Sequence, residues 1–230
     1  MIAQTLDSQL VLELGHRPAL GREDFFISPC NEEAVFLVDK WPQWSSPLLI
    51  LVGNPGSGKS HLASVWRASS GAAVINSKDL KRNDNPWHLM HPVSACVVED
   101  VPEKMDDQAL LHLINVAIEV GGSLLITSIA TPSNWSTELP DLASRVRAAP
   151  IVTLNEPDDG LLAAIMVKLF ADRQLSVSPE VIAYVITRIE RTFDSARAIV
   201  GSLDRAALSQ RRPITIPLAR EVLQQFNVIR

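Results

Sequence analysis

The sequence predicts an α/β protein: a mostly parallel, helix-covered sheet followed by a smaller all-helical unit. Three observations carry that prediction. Five short and almost uncharged apolar runs, at 48–52, 72–76, 95–99, 123–127 and 150–154, read as strands covered on both faces. Helical patterns separate several of them, and strands alternating with helices imply parallel pairing. Beyond residue 154 no further run reads as a strand, and only helical patterns follow.

The elements can be justified in order. The first run is followed by Gly53-Asn54-Pro55-Gly56-Ser57-Gly58-Lys59-Ser60 and then by a helical stretch over 60–68. At 107–119, Leu110, Leu111, Leu113, Ile114, Ala117 and Ile118 form one broad stripe, and Gly121-Gly122 ends it. Residues 160–173 read as a helix with Pro157 in its first turn. Ser178-Pro179-Glu180 reads as a helix start, with Ser178 as cap and Pro179 first in the helix. Asp194 is the expected cap of a helix running to about 210, and Thr215-Ile216-Pro217 opens a last helix ending near 226. The boundaries expected are a short N-terminal peptide over 1–20, an α/β domain over 21–154 and a helical domain over 155–230. The cleft between the last two is the expected ligand site.

Composition narrows the function classes. The chain has 230 residues, 47% of them apolar, enough for a substantial core. Its 21 basic and 26 acidic residues give a formal charge of -5, which argues against a broad non-specific grip on nucleic acid. Cys30 and Cys96 are far apart without metal spacing, and Cys96 reads as a small core residue. No signal peptide or membrane span is read, so a cytoplasmic protein is expected. The five histidines share no metal spacing. Trp41, Trp44, Trp66, Trp87 and Trp135 read as packing residues rather than a base-stacking platform.

The glycine loop matches the Walker A pattern at every fixed position, between a strand and a helix as that chemistry requires. Glycines let the loop of Gly53, Asn54, Pro55, Gly56, Ser57 and Gly58 fold into a nest whose N–H groups, which Pro55 lacks, point at phosphate oxygens. The following helix adds its positive end, where His61 contributes only its backbone N–H. Lys59 can reach the β- and γ-phosphates, and the Ser60 hydroxyl can ligate Mg²⁺. The third run ends in Glu99-Asp100. There Glu99 can hold Mg²⁺ and Asp100 can orient the attacking water, although an ordinary acidic turn is the alternative. The usual order puts Asp first, and this inversion displaces both carboxylates by about 1 Å, enough to cost a large factor in rate.

With these motifs placed, the chain resembles the AAA+ ATPases, and within them the relatives of the bacterial replication initiator DnaA, closest to the Hda family of initiator regulators. Asp24-Phe25-Phe26-Ile27-Ser28-Pro29-Cys30-Asn31 resembles the segment that packs on adenine, which implies contacts from Phe26 and Ile27. Asp141-Leu142-Ala143-Ser144-Arg145 resembles the arginine-finger box, with Arg145 as a finger offered in trans. Phe193-Asp194-Ser195-Ala196-Arg197 resembles the lid motif that brings Arg197 near the phosphates. Leu203-Asp204-Arg205-Ala206 and Ile214-Thr215-Ile216-Pro217 continue the Hda-like lid. Surface or salt-bridge roles are the plain alternatives for Arg145, its neighbour Arg147, and Arg197.

Gln9-Leu10-Val11-Leu12-Glu13-Leu14 resembles the peptide by which partners dock on the β sliding clamp of DNA polymerase III, with Gln9 hydrogen-bonding and Leu10, Leu12 and Leu14 as anchors. Glu13 departs from that motif, and alternating leucine also describes an edge strand. Relatives tend to have Asp where Ile129 stands, leaving Thr127 or Ser128 as the polar group near the γ-phosphate. The span from Lys59 to Glu99 is short, and the chain stops after the lid, where DnaA continues into a helix-turn-helix domain. The resemblance therefore implies an ADP- or ATP-binding, Mg²⁺-dependent protein with weak hydrolysis of its own. It would dock on the clamp, stimulate hydrolysis of DnaA-bound ATP and restrain initiation, without sequence-specific DNA binding; self-association stays open. The readings set against it are an autonomous ATPase of the helicase-loader type and a small-molecule kinase.

Overall fold

The computed structural model describes residues 25–81 and 85–226. The peptide Gln9 to Leu14 therefore lies outside the described residues. The chain divides at Pro157 into two compact units.

The α/β unit is a five-stranded, wholly parallel sheet in the order β2-β3-β4-β1-β5. Its strands are β1 (Leu48–Val52), β2 (Ala73–Asn76), β3 (Ala95–Val101), β4 (Ser123–Ser128) and β5 (Ile151–Thr153). The three central strands are buried almost throughout because helices cover both faces. On one face Leu49, Leu51, Val97 and Leu125 pack with α1 (Glu32–Asp39) and α2 (Lys59–Ser70). On the other, Ile50, Cys96, Val98 and Ile126 pack with α4 (Asp107–Glu119) and α5 (Pro140–Ala148). A short α3 (Pro86–Met90) joins that second face.

All five expected strands form, with ends shifted by up to two residues. Burial pushes the Cys96 thiol up to about 12, as befits a core residue. Trp44 stacks on Trp66 and Trp41 meets it edge-on, so these three pack as expected, whereas Trp87 is half exposed. The stripe of α4 is buried except Leu111 and Ile118, and Gly121 follows it with φ 62°, a conformation that glycine adopts without strain.

The second unit holds four helices, α6 (Asp159–Ala171), α7 (Pro179–Ile186), α8 (Phe193–Gln210) and α9 (Ile216–Phe226), around Met166, Phe170, Val185, Ile199, Leu203 and Leu218. Two helix-start expectations need correction, and that for Ser178 holds in position. Asp158 caps α6 by accepting from Leu161 N at 2.7 Å, so Pro157 precedes the helix rather than entering its first turn. Ser178 holds the cap position of α7 but makes no side-chain cap bond. Thr192, not Asp194, caps α8: its hydroxyl accepts from Ser195 N at 3.0 Å. Asp194 lies in the first turn, where its charge favours the positive helix end without closing a capping bond.

Replacing a bonded threonine cap costs about 1 kcal/mol, and an exposed first-turn acid a few tenths. Thr192→Ala should therefore lower stability by about 1 kcal/mol and Asp194→Ala by clearly less, read from urea unfolding of the two variants side by side. Equal losses would contradict the assignment of the cap.

Candidate functional site

Strand β1 delivers the glycine loop between the carboxyl ends of β4 and β5, the end at which open parallel sheets take their ligands. Gly53 N–H donates to Ser128 O at 3.2 Å and anchors the loop to β4. A Cβ on Gly53 would fall 2.6 Å from Leu154 O and 2.7 Å from Ser57 Oγ, so no other residue fits without displacing backbone. Gly56 and Gly58 take φ of 73° and 98°, the left-handed turns that direct successive N–H groups into a nest. Helix α2 starts at once, and no side chain caps its first N–H groups.

Lys59 is 6% exposed, and its Nζ donates to Gly53 O at 2.7 Å and Asn54 O at 2.9 Å. Its charge is thus held over the concave side of the loop. Ser57 Oγ is buried with no hydrogen-bond partner, a costly state for a hydroxyl. A phosphate oxygen would satisfy that hydroxyl and lie within the nest, so the cradle fits a polyphosphate. Ser60 is exposed at the head of α2, and His61 meets Phe25 edge-on at 5.0 Å.

The end of β3 is irregular. Val98 pairs with Ile126 and Val101 with Ser128, so Glu99 and Asp100 together oppose Thr127 alone. This is a β-bulge, rare between parallel strands, and Asp100 takes φ 57° within it. Glu99 continues the alternation of Ala95 and Val97, which face α2. Burial pushes its carboxyl above the usual range; the Asp100 charge adds to this and Arg67 of α2 opposes it. The Asp100 carboxylate lies on the β2 side, 3.4 Å from Asn76 Nδ2, while its backbone N–H donates to Thr127 Oγ1 at 3.0 Å. Ser128 Oγ donates to Val101 O at 2.7 Å. Both hydroxyls considered for the γ-phosphate are thus buried and engaged in closing the bulge, and Ile129 is 60% exposed.

Ahead of α1, Asn31 is buried and locks its loop, accepting from Ser28 N and donating to Phe26 O, both at 3.0 Å. Cys30 O accepts from Asn155 N, which fastens this loop beside the end of β5. Phe25 is buried, whereas Phe26 and Ile27 present apolar surface, 36% and 54% exposed. The sequence reading quoted Asn31 within its segment but gave it no role, and it missed Asn76, since a lone asparagine in a loop or at a strand end carries no pattern.

Arg145 lies on α5, a helix anchored by buried Leu142 and Val146. It is exposed and makes neither ion pair nor hydrogen bond among the described residues, although Asp141 stands one turn before it. Arg147 is likewise exposed. In the helical unit, Arg197 pairs with Asp194 at 3.4 Å, both well exposed, an arrangement that contributes little stability. No group of three metal-binding side chains exists among the described residues. A Mg²⁺ held largely by phosphates needs only one or two protein oxygens, and Ser60 at the head of α2 and Glu99 on the α2 side of β3 are the residues that would supply them. Among the described residues no helix is long and apolar enough to cross a membrane.

Comparison with known proteins matches residues 159–223 to the family model described as the Hda lid domain. An uncharacterized protein of Haemophilus influenzae is 29% identical over 95% of this chain and 99% of its own length. The fold is similar to domain III of the Thermotoga maritima replication initiation protein DnaA, with a TM-score of 0.79 and 20% identity over 91% of this chain and 98% of that one. It is also similar to AMPPCP-bound DnaA from Aquifex aeolicus, with a TM-score of 0.66 and 19% identity over 85% of this chain and 68% of that one. The architecture, a parallel sheet unit and a helical unit that matches the Hda lid model, is similar to that of DnaA domain III.

The environment of Glu99 sets a pH test. A carboxyl raised in the fold disfavours the native state as pH climbs through the raised value, so its contribution is best at low pH and is lost toward neutrality. Glu99→Gln removes that burden. The variant should be at least as stable as the parent near pH 7, and the gap should close as pH falls toward the ordinary carboxyl value of about 4.3. Urea midpoints across that range decide it, and a variant weaker at neutrality would contradict the burial effect.

Proposed function

We propose that this chain, a DnaA-related AAA+ protein with an Hda-type lid, is an adenine-nucleotide-binding regulator of replication initiation that docks on the β sliding clamp and stimulates hydrolysis of DnaA-bound ATP in trans. One observation carries the reading: Arg145, exposed and uncommitted on the rigidly anchored α5, in a chain whose lid matches the Hda model. A finger arginine must be planar, charged and unpaired so that it can meet the charge developing on a neighbour's phosphoryl group.

In this reading the chain's own nucleotide is held rather than turned over. The loop N–H groups and Lys59 take the phosphates, Ser60 and Glu99 hold Mg²⁺, and Phe26 and Ile27 offer apolar surface to adenine. Arg197 is the lid's candidate for the phosphates. The solved DnaA relative is bound to AMPPCP, which supports an adenine nucleotide as ligand. Asp100 remains the candidate for orienting water, and its tie to Asn76 supports weak intrinsic hydrolysis. Gln9, Leu10, Leu12 and Leu14 supply the clamp tether, which raises the local concentration of Arg145 near DNA-bound initiator.

Lys59→Ala should weaken ADP binding at least tenfold by calorimetry, and unchanged affinity would overturn the phosphate assignment. Arg145→Ala should keep clamp and nucleotide binding yet lose most of the stimulation of DnaA-bound ATP hydrolysis on clamp-loaded DNA. A finger arginine contributes on the order of 10³–10⁵ in rate. Changing Gln9 and Leu10 to Ala should abolish clamp binding and leave nucleotide binding intact. Partner-independent turnover on the order of 1–100 s⁻¹ would favour the autonomous ATPase instead.

A further inference from the structure

The lid carries a preassembled cationic and aromatic cluster that the nucleotide site does not use. Tyr184 of α7 is half-buried, and the Arg188 guanidinium lies 3.8 Å from its ring centroid. Arg188 is fixed there by Nη1, which donates to Tyr184 O at 2.8 Å and to Thr187 Oγ1 at 2.7 Å. From α9, the Arg220 guanidinium stands beside the Tyr184 hydroxyl and, with the Arg188 charge, holds the phenol below its ordinary pKa. Two cations therefore flank one phenol.

Neither arginine forms an ion pair among the described residues. The two acids nearest on the same helices are engaged elsewhere: Glu180 with Ser178, and Glu221 with Arg212 at 2.8 Å. Residues 157–230 hold ten Lys and Arg against eight Asp and Glu, a local surplus in a chain whose total is -5. Guanidinium groups bind phosphate oxygens in a planar, paired geometry, and an arginine already stacked on an aromatic ring loses little freedom in doing so. An acidic peptide would use the charges but not the ring. Single-stranded nucleic acid uses both, because its phosphates meet cations and its exposed bases stack on tyrosine and arginine planes.

We propose that Tyr184, Arg188 and Arg220 form a contact site for the phosphate backbone and bases of single-stranded DNA on the lid. Such a contact is small and without sequence preference, so it adds to a tether rather than replacing one. It does not depend on the role of Arg145.

The test is fluorescence anisotropy of a labelled single-stranded oligonucleotide with the full chain, between about 50 mM and 200 mM salt. Binding should weaken with salt at about 0.7 log units per log unit for each phosphate contacted. Arg188→Ala with Arg220→Ala should weaken binding at least tenfold and flatten that slope by about 1.4. Tyr184→Ala should lose about fivefold or more, and Tyr184→Phe should stay near the parent. Circular dichroism and ADP affinity should be unchanged in every variant, which separates site loss from misfolding. No binding by the parent, or equal affinity and slope in the double variant, would overturn the proposal. So would full competition by inorganic phosphate, which would make the cluster a simple anion site, or by polyglutamate, which would make it an acidic-peptide site.

Discussion

The candidate phosphate site depends on a close approach at Gly53. Its Cα is wedged between Leu154 of the chain leaving β5 and the Ser57 hydroxyl of its own loop, and its N–H is held by Ser128 at the end of β4. These contacts hold the loop against both strands that flank β1. Because β1 lies between β4 and β5, the loop leaves the sheet where two neighbouring strand ends form a floor. The left-handed turns at Gly56 and Gly58 then become possible without further support, and Lys59 is carried back over the loop. A side chain at position 53 would push the loop off that floor, and the nest would open with it.

The same sheet explains the inverted acidic pair. In a regular strand Glu99 and Asp100 would point to opposite faces. The bulge adds one residue to β3, and it is closed by two buried hydroxyls, Thr127 receiving the Asp100 N–H and Ser128 donating to Val101 O. The outcome is asymmetric. Glu99 stays on the face of the phosphate helix with its charge disfavoured by burial, while Asp100 turns toward Asn76 on β2. The hydroxyls read as possible phosphate sensors are thus part of the local scaffold.

The fold was legible where one pattern decides the outcome. Buried parallel strands are apolar without alternation, and 48–52 or 95–98 admit little else. The stripe of α4 and the proline starts of α7 and α9 gave those helices because periodicity and φ restriction act locally. The bulge was not legible, since it depends on Thr127 and Ser128 from a strand 27 residues away. The cap of α8 was misassigned for a related reason: Thr192 and Asp194 are both good cap residues, and the hydroxyl that reaches Ser195 N is chosen by where the backbone turns. Of the site, the glycine loop announced itself, whereas Asn31 acts inside a loop without a pattern, and the Asn76–Asp100 contact and the approach of Arg220 to Tyr184 arise only when separate segments meet.

On the proposed reading, these features bear on how one such unit holds a nucleotide and still acts on another. Turnover needs a carboxylate aligned with the attacking water, and a displacement of about 1 Å is costly there. Binding needs only the nest, the Lys59 charge and the helix end, none of which involves the bulge. On the proposed reading, distortion at β3 would fall on hydrolysis and spare affinity. Helix α5 shares the buried face of Val98 and Val101 through Leu142 and Val146, so its outer surface is carried on the same rigid core. Arg145 is exposed on that helix and pairs with no carboxylate among the described residues, although Asp141 stands at the spacing where helical ion pairs form. A guanidinium kept free on a rigid helix loses little by leaving solvent for a partner's phosphate, because no existing salt bridge has to be broken.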